Sequence, residues 1–143
     1  MAKGVTFIND LMKLIFQATP NIANLLDQAA SSPITSLFVS LHTASPNAGD
    51  QTTSEATYTG YARVGVVRTS SGWTVTGGAA SNVAAITFGA DTVGTNVITH
   101  VAIGKSTSGA GEVYWSGALA ASLSVSPGIT PSFAIGALSA TES

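Results

Sequence analysis

Two histidines are the scarcest groups in this sequence that could bind a metal or transfer a proton. Both His42 and His100 fall in segments that read as strands, each opposite the apolar face of its segment. A metal site needs two or more ligands at close spacing, and neither histidine has a partner at HxH or HxxxH spacing. The sequence therefore predicts no metal site and places both histidines at a surface or an interface.

Nucleophilic and acid–base motifs are equally sparse. There is no Gly-x-Ser-x-Gly elbow, phosphate-binding loop or dinucleotide fingerprint, and Gly109-Ala110-Gly111 is typical of a turn. The seven Asp and Glu residues are dispersed, whereas glycoside hydrolysis needs two carboxylates roughly 5–9.5 Å apart beside a cleft. We predict no enzymatic activity and no cofactor.

Five aromatic residues offer the best case for a ligand, because rings on one face can stack on sugars. The alternative is packing in a core or along an edge, which we favour because Trp and Tyr are ordinary strand residues. A carbohydrate-binding module stays open as a second alternative function. The residues concerned are Tyr58, Tyr61, Trp73, Tyr114 and Trp115.

Charge further restricts the possible partners. Charged residues make up 8% of the chain, against about 25% in ordinary soluble domains, and the formal charge is −2. We expect no nucleic-acid partner, since such proteins carry clustered Lys and Arg. The apolar stretches are interrupted well short of the roughly 20 residues of a membrane-spanning helix, so we expect no membrane partner. A polar, uncharged surface suits packing against other subunits.

The segment 1–33 is predicted to be an amphipathic helical arm that precedes a β-domain over residues 34–143. Its apolar residues recur at i, i+3, i+4 and i+7 in two sets, separated by Pro20. The stripe either covers an open face of its own sheet or docks on a neighbouring subunit. The candidate docking residues are Leu11, Leu14, Ile15, Ile22, Leu25 and Leu26.

From Ser36 onward the hydrophobic pattern has a period of two. Seven or eight short strands are predicted, which favours an antiparallel β-sandwich or jelly roll and a mainly β fold. The polar stretch Ala44–Thr59 is too long for a hairpin turn and is a candidate contact loop. Its proposed contact residues are Asn47, Asp50, Gln51, Thr53 and Glu55. The predicted strands are Ser36–His42, Tyr61–Arg68, Trp73–Val75, Val83–Phe88, Asn96–Lys105, Val113–Trp115, Ala118–Val125 and Pro131–Leu138.

Several of these segments resemble a widespread family of small phage virion proteins, and the resemblance extends from about Ser36 to the C-terminus. Members are commonly labelled tail-fibre-like or virion structural, and some similar small phage β-proteins decorate the capsid. The resemblance implies a particle component without catalysis, and it brings no catalytic residues with it. The matching segments are 37–44 (LFVSLHTA), 58–64 (YTGYARV), 82–88 (NVAAITF), 97–104 (VITHVAIG), 114–119 (YWSGAL) and 129–133 (ITPSF).

Within that class we expect a capsid decoration protein that bridges subunits on the head surface. Its partners would be the major capsid protein or other virion proteins, and it would form a homo-oligomer. The alternative is a tail or tail-fibre component that contacts the host surface, where a glycan is a possible ligand. A chain that ends at Ser143 without a coiled coil or repeat favours decoration.

Overall fold

The computed structural model describes residues 5–18 and 34–142. These residues form one helix and nine strands, and every strand pair with a defined register is antiparallel. The predicted mainly β fold with an N-terminal helix is therefore confirmed. The elements are α1 (Val5–Gln17), β1 (Ser36–His42), β2 (Val64–Val67), β3 (Trp73–Thr76), β4 (Ala79–Asn82), β5 (Ile86–Thr87), β6 (Asn96–Gly104), β7 (Val113–Val125), β8 (Ser132–Phe133) and β9 (Ser139–Thr141).

The chain divides into two compact units. The first combines Val66–Ala85 with the described parts of segments 1–36 and 133–143, and it contains the three-stranded sheet β3-β4-β9. The second combines Leu37–Gly65 with Ile86–Ser132. A four-stranded sheet has the order β2-β1-β6-β7, and β5 pairs with β8. The division into an arm and one domain at residue 33 stays a prediction.

In the first unit, helix α1 packs against β3 and β4 of its own chain. Met12 and Phe16 are spaced by four residues, so they share one helix face, and both are fully buried. The Phe16 ring meets Trp73 edge-to-face, with ring centroids 4.8 Å apart. In β3, Trp73 and Val75 are buried while Thr74 and Thr76 are exposed. The helix thus covers the apolar face of this sheet.

The C-terminal end of α1 is capped by Arg68. Its guanidinium donates hydrogen bonds to the carbonyls of Leu14 (2.8 Å) and Ile15 (2.5 Å). These carbonyls have no partner within a helix at this point, and a cation there complements the helix dipole. Gln17 adds a hydrogen bond to the carbonyl of Trp73 (2.8 Å). Side-chain packing and capping therefore both hold α1 on this unit.

In the second unit, β1 has the predicted limits and lies inside the sheet. Leu37, Val39 and Leu41 are at most 1% exposed, as expected for the apolar face. Ser40 and His42 on the opposite face are also completely buried. The prediction that His42 lies at a surface or an interface is wrong, because the loops of this unit cover the second face of the strand.

Other predicted strands differ from the observed ones in their limits. Tyr61–Arg68 shortens to β2, and Val83–Phe88 shortens to β5. The predicted strands Val113–Trp115 and Ala118–Val125 are one continuous strand, β7. Strand β4 was not predicted; it forms a hairpin with β3 across Gly77 and Gly78, which both have positive φ, as a type I′ turn requires.

Strand β6 breaks the predicted alternation at its N-terminal end. Strict alternation along Asn96–Lys105 puts Val97 on the same side as Val101 and Ile103, yet Val97 is 54% exposed, whereas Ile98 is fully buried. The register between β6 and β7 shifts between Ile98 and His100. An irregularity of this kind exchanges the two faces of a strand, and that explains the reversal.

Candidate interaction surface

Backbone hydrogen bonds attach the loop 44–59 to β1. Thr43 N–H donates to Ser54 O (2.8 Å), and Ala56 N–H donates to Leu41 O (2.8 Å). Together with the bridge between His42 and Glu55, these bonds continue β1 into an irregular return strand. The loop has no regular secondary structure of its own, but its backbone is held to the sheet.

Asp50 and Thr52 organise the tip of this loop. The Asp50 carboxylate accepts hydrogen bonds from the Thr52 hydroxyl (2.6 Å) and the Thr52 N–H (2.7 Å). In return, Asp50 N–H donates to the Thr53 hydroxyl (3.1 Å). The hydrogen bonds from Thr52 lower the pKa of Asp50. This reciprocal pairing resembles a helix cap and fixes a tight turn.

Gln51 anchors the loop from inside the unit. Its side chain is completely buried, its Oε1 accepts from Ser106 N–H (2.8 Å), and its own N–H donates to Gly111 O (2.8 Å). A Cβ on Gly104 would lie 2.3 Å from Gln51 Cδ, and one on Gly111 would lie 2.4 Å from Gln51 Oε1. The two glycines therefore leave room for the amide, and they link the loop to residues 104–111.

An ion pair between Glu55 and Arg63 closes the base of the loop. The Glu55 carboxylate accepts hydrogen bonds from Arg63 Nε (2.6 Å), Arg63 Nη2 (2.7 Å) and the Tyr61 hydroxyl (2.9 Å). Arg63 also donates to the carbonyls of Ser106 and Gly109, both at 2.9 Å. Hydrogen bonding to Glu55 raises the pKa of Arg63. One guanidinium thus holds two loops together.

His42 forms a hydrogen-bonded pair with Ser40 and fastens the loop at Thr53. Its Nδ1 lies 2.9 Å from Thr53 O, and its Nε2 lies 2.8 Å from Ser40 Oγ. Because a carbonyl only accepts, we assign the proton to Nδ1, and Nε2 then accepts from the serine hydroxyl. Burial lowers the pKa of His42. A Ser–His pair is a familiar nucleophile and base, but here both side chains are enclosed and the pair fixes the loop.

The aromatic residues mostly pack inside the chain. Tyr58 is 4% exposed and meets Tyr61 edge-to-face at 5.4 Å, while Tyr61 stacks on Phe88 at 6.1 Å. Trp73 is buried in the first unit. Tyr114 and Trp115 are half-buried on β7. Packing therefore accounts for Tyr58, Tyr61 and Trp73, and these three do not form an exposed stacking platform.

The predicted contact residues of the loop have different environments. Asn47 is exposed and accepts a hydrogen bond from the Ser116 hydroxyl of β7. Asp50, Thr53 and Glu55 are half-buried, and Gln51 is enclosed. Of these five residues, Asn47 is the one that is exposed.

The predicted docking residues of the arm are only partly described. Leu11, Leu14 and Ile15 are half-buried on α1, whereas Ile22, Leu25 and Leu26 lie outside the described residues. Met12 and Phe16 form the buried face, and the predicted stripe did not include them. The i, i+4 spacing of these two apolar residues was the signal for that face.

Strand β7 is the most exposed element of the second unit, a feature that sequence reasoning missed. It lies at the edge of its sheet, and its residues 117–124 are exposed except for half-buried Leu119. Ile98 pairs with Leu123 and His100 pairs with Ala118, so β7 residues 119–122 face Thr99 alone. This segment therefore bulges away from β6. We call residues 117–124, together with exposed Val97, the β7 surface.

The β7 surface belongs to a long uncharged stretch. No charged residue or histidine occurs from Val113 to Thr141. Leu123 is 36% exposed, and Val97, which pairs with Ser124, is 54% exposed. The residues between Gly117 and Leu123 are Ala, Leu and Ser. A signal for this surface was present in the sequence as an uncharged run, but alternation alone could not show which face was solvated. The surface is suited to contact with another neutral surface.

Within residues 5–18 and 34–142, no three His, Cys, Asp or Glu side chains cluster as metal ligands. In the same part of the chain, no helix has the length and apolarity needed to cross a membrane.

Curated protein sequences and protein families provide a further line of evidence. No curated protein sequence matches the chain. The profile of a family described as "Podophage GP4 fiber I protein gp80" matches residues 17–141, which is most of the chain. The match confirms the resemblance to phage virion structural proteins that the strand segments indicated. The chain belongs to the podophage GP4 fiber I protein gp80 family.

Proposed function

We propose that the protein is a non-enzymatic structural subunit of a phage tail fibre and that it associates through the β7 surface. Membership of a fibre protein family supports the tail-fibre alternative over the capsid decoration that the sequence alone favoured. The proposal that the protein assembles through this surface rests on β7, which is an exposed and uncharged edge strand. It is the most exposed element of the second unit.

An edge strand offers unpaired backbone N–H and C=O groups to any other strand. Proteins protect such edges with Lys, Pro, bulges or a covering element. Strand β7 has no charged residue and no proline over all of Val113–Val125. Its pairing with β6 is irregular at two places, the bulge at residues 119–122 and the register shift at Tyr114. Such an edge is stable in solution when a specific partner covers it.

The partner that fits best is a second copy of the chain. Small side chains such as Ala118, Ala120 and Ala121 allow two backbones to approach closely, and two uncharged surfaces meet without repulsion. At about 3.3 Å per residue, a 13-residue strand is roughly 43 Å long. That length accommodates a standard interface of about 800 Å² per partner. The proposed assembly is therefore a homo-oligomer.

The assembly is tested by placing charge on the β7 surface. The double variant Ala120→Lys/Ala121→Lys adds two ammonium groups at exposed positions, and Thr74→Lys adds one at an exposed strand position in the first unit. We expect sedimentation to show an oligomer for wild type and Thr74→Lys, and a monomer with an unchanged circular dichroism spectrum for the double variant. A monomeric wild type at tens of micromolar would contradict the proposal.

The position in the particle is tested separately. Gold-labelled antibody against the protein should decorate the tail fibres of purified phage in electron micrographs. Label spread over the head would overturn the fibre assignment and favour capsid decoration.

Contact with the host surface by the loop 44–59 is a second candidate role, favoured by the rigid anchoring of this loop. A recognition loop gains affinity when it does not have to be ordered on binding. Exposed Asn47 and Thr52 lie on the outer side of the loop. Phage carrying Asn47→Lys should then adsorb to cells more slowly, with particle yield unchanged. Equal adsorption rates would remove this role.

A further inference from the structure

Asp91 has a buried carboxylate without a protein partner. The residue is 2% exposed, and neither carboxylate oxygen has a hydrogen-bond partner in the described part of the chain. An unpaired carboxylate in the interior costs several kcal/mol. Such a group therefore needs a bound water molecule or cation.

Backbone hydrogen bonds fix the main chain at Asp91. Asp91 N–H donates to Ile129 O (2.9 Å), and Asp91 O accepts from Gly128 N–H (2.8 Å). Next to it, Thr92 N–H donates to Thr59 O and Thr59 N–H donates to Val93 O, both at 3.0 Å. Three segments, 58–60, 89–93 and 126–129, thus meet here, and we call this region the Asp91 junction.

Two glycines bring the segments of the junction unusually close. A Cβ on Gly60 would lie 2.2 Å from Ala90 O, and one on Gly89 would lie 1.9 Å from Gly60 O. The Tyr58 hydroxyl donates a hydrogen bond to Gly89 O (3.1 Å), so its hydrogen is directed at a carbonyl. The junction thus contains the backbone carbonyls of Gly60, Gly89 and Ala90 and the Tyr58 hydroxyl on segments that are held close to that of Asp91.

No cationic side chain of the second unit is available to Asp91. The two bases of this unit, Arg63 and Lys105, are paired with Glu55 and Glu112. Burial, and to a smaller extent the charge of Asp91, raises the pKa of Tyr58. The negative charge thus reaches the phenol, and no cationic side chain within residues 5–18 and 34–142 forms a hydrogen bond with the Asp91 carboxylate.

We propose that the Asp91 junction binds a hard cation of the Ca²⁺ type, with the Asp91 carboxylate as its charged ligand and backbone carbonyls as neutral ligands. Oxygen donors of this kind are the ones that Ca²⁺ takes in proteins. With one carboxylate and no cluster of acidic residues, the affinity falls in the weak range, with a Kd of about 10⁻⁴–10⁻³ M. The cation would tie the segments after β5 and before β8 to residues 58–60.

The test is the thermal unfolding of the full-length protein, titrated with CaCl₂ after treatment with EDTA. We expect about 10 mM Ca²⁺ to raise the Tm of the wild-type protein by roughly 5 °C. Asp91→Asn removes the charge and should abolish this shift. Asp50→Asn is the matched control, because Asp50 is hydrogen-bonded on the outside of the same unit, and it should keep the shift.

Tb³⁺ provides a direct readout that does not depend on the variant's stability. Tb³⁺ bound at the junction should luminesce when Tyr58 is excited, and Ca²⁺ should quench that signal by competition. A wild-type protein with no Tm shift and no sensitised luminescence would overturn the proposal. If Asp91→Asn is more stable than wild type and neither protein responds to Ca²⁺, the junction binds no cation, which also overturns the proposal.

Discussion

Removal of the Glu55 carboxylate is the sharpest test of how the loop 44–59 is held. Glu55→Ala would leave Arg63 with two carbonyl acceptors but without its counter-ion, at a guanidinium whose side chain is 2% exposed. Breaking a buried ion pair from one side costs about 3–5 kcal/mol. Glu55 itself is 17% exposed, so water replaces part of the interaction, and we expect about 3 kcal/mol, the lower end of that range.

The structure contains a matched control for this experiment. Glu112 lies 4.0 Å from Lys105, and both side chains are largely exposed. Glu112→Ala should therefore change the free energy of unfolding by less than about 1 kcal/mol. The double variant Glu55→Ala/Arg63→Met should recover part of the loss, since it leaves no unpaired buried charge.

Urea denaturation followed by circular dichroism measures all of these changes. Equal losses for the Glu55 and Glu112 variants would refute the reasoning, because burial would then have no effect on the ion pair. Additivity of the Glu55 and Arg63 substitutions would refute it as well, since two side chains that interact directly must show coupling.

Three further predictions concern the rest of the fold. Phe16→Ala should lower the free energy of unfolding by about 3–5 kcal/mol in urea titrations, because the fully buried ring leaves a cavity under α1. Burial holds the pKa of His42 below its ordinary 6.5, so the unfolded chain binds the proton first. The free energy of unfolding should then fall as the pH drops from about 7 to 5, and His42→Gln should flatten this slope in denaturation series. Gly104→Ala should reduce the Tm in thermal scans, because its Cβ meets Gln51 at 2.3 Å, whereas Gly117→Ala has open space and should leave the Tm within a degree or two.

The elements that follow from local pattern were predictable. Strand β1 has the predicted limits because its hydrophobic alternation is strong, and the Gly77-Gly78 turn follows from the positive φ that glycine allows. Helix α1 was predicted from its apolar spacing, although the stripe missed Met12 and Phe16. Short strands such as β8 were not delimited, because tertiary pairing rather than local preference fixes their ends.

The sites were less predictable, because long-range partners decide them. Gln51 and Glu55 are polar residues in a polar loop, which is the usual signature of a solvated contact loop. Their partners lie at Ser106 and Arg63, and only the folded chain brings these residues together. Burial of His42 has the same origin, because loops cover the face of β1 on which His42 lies. The alternation of apolar and polar residues does not predict this covering.

The amino-acid sequence by itself determined the mainly β class, the N-terminal helix and the resemblance to phage virion proteins, since each depends on residue spacing along the chain. Tertiary structure alone decided which polar groups became anchors, which carboxylate was left without a partner at Asp91, and which strand remained exposed at β7. The physical reason is that burial depends on the sum of contacts from distant segments. A sequence pattern specifies the face that a residue occupies, but it does not specify what covers that face.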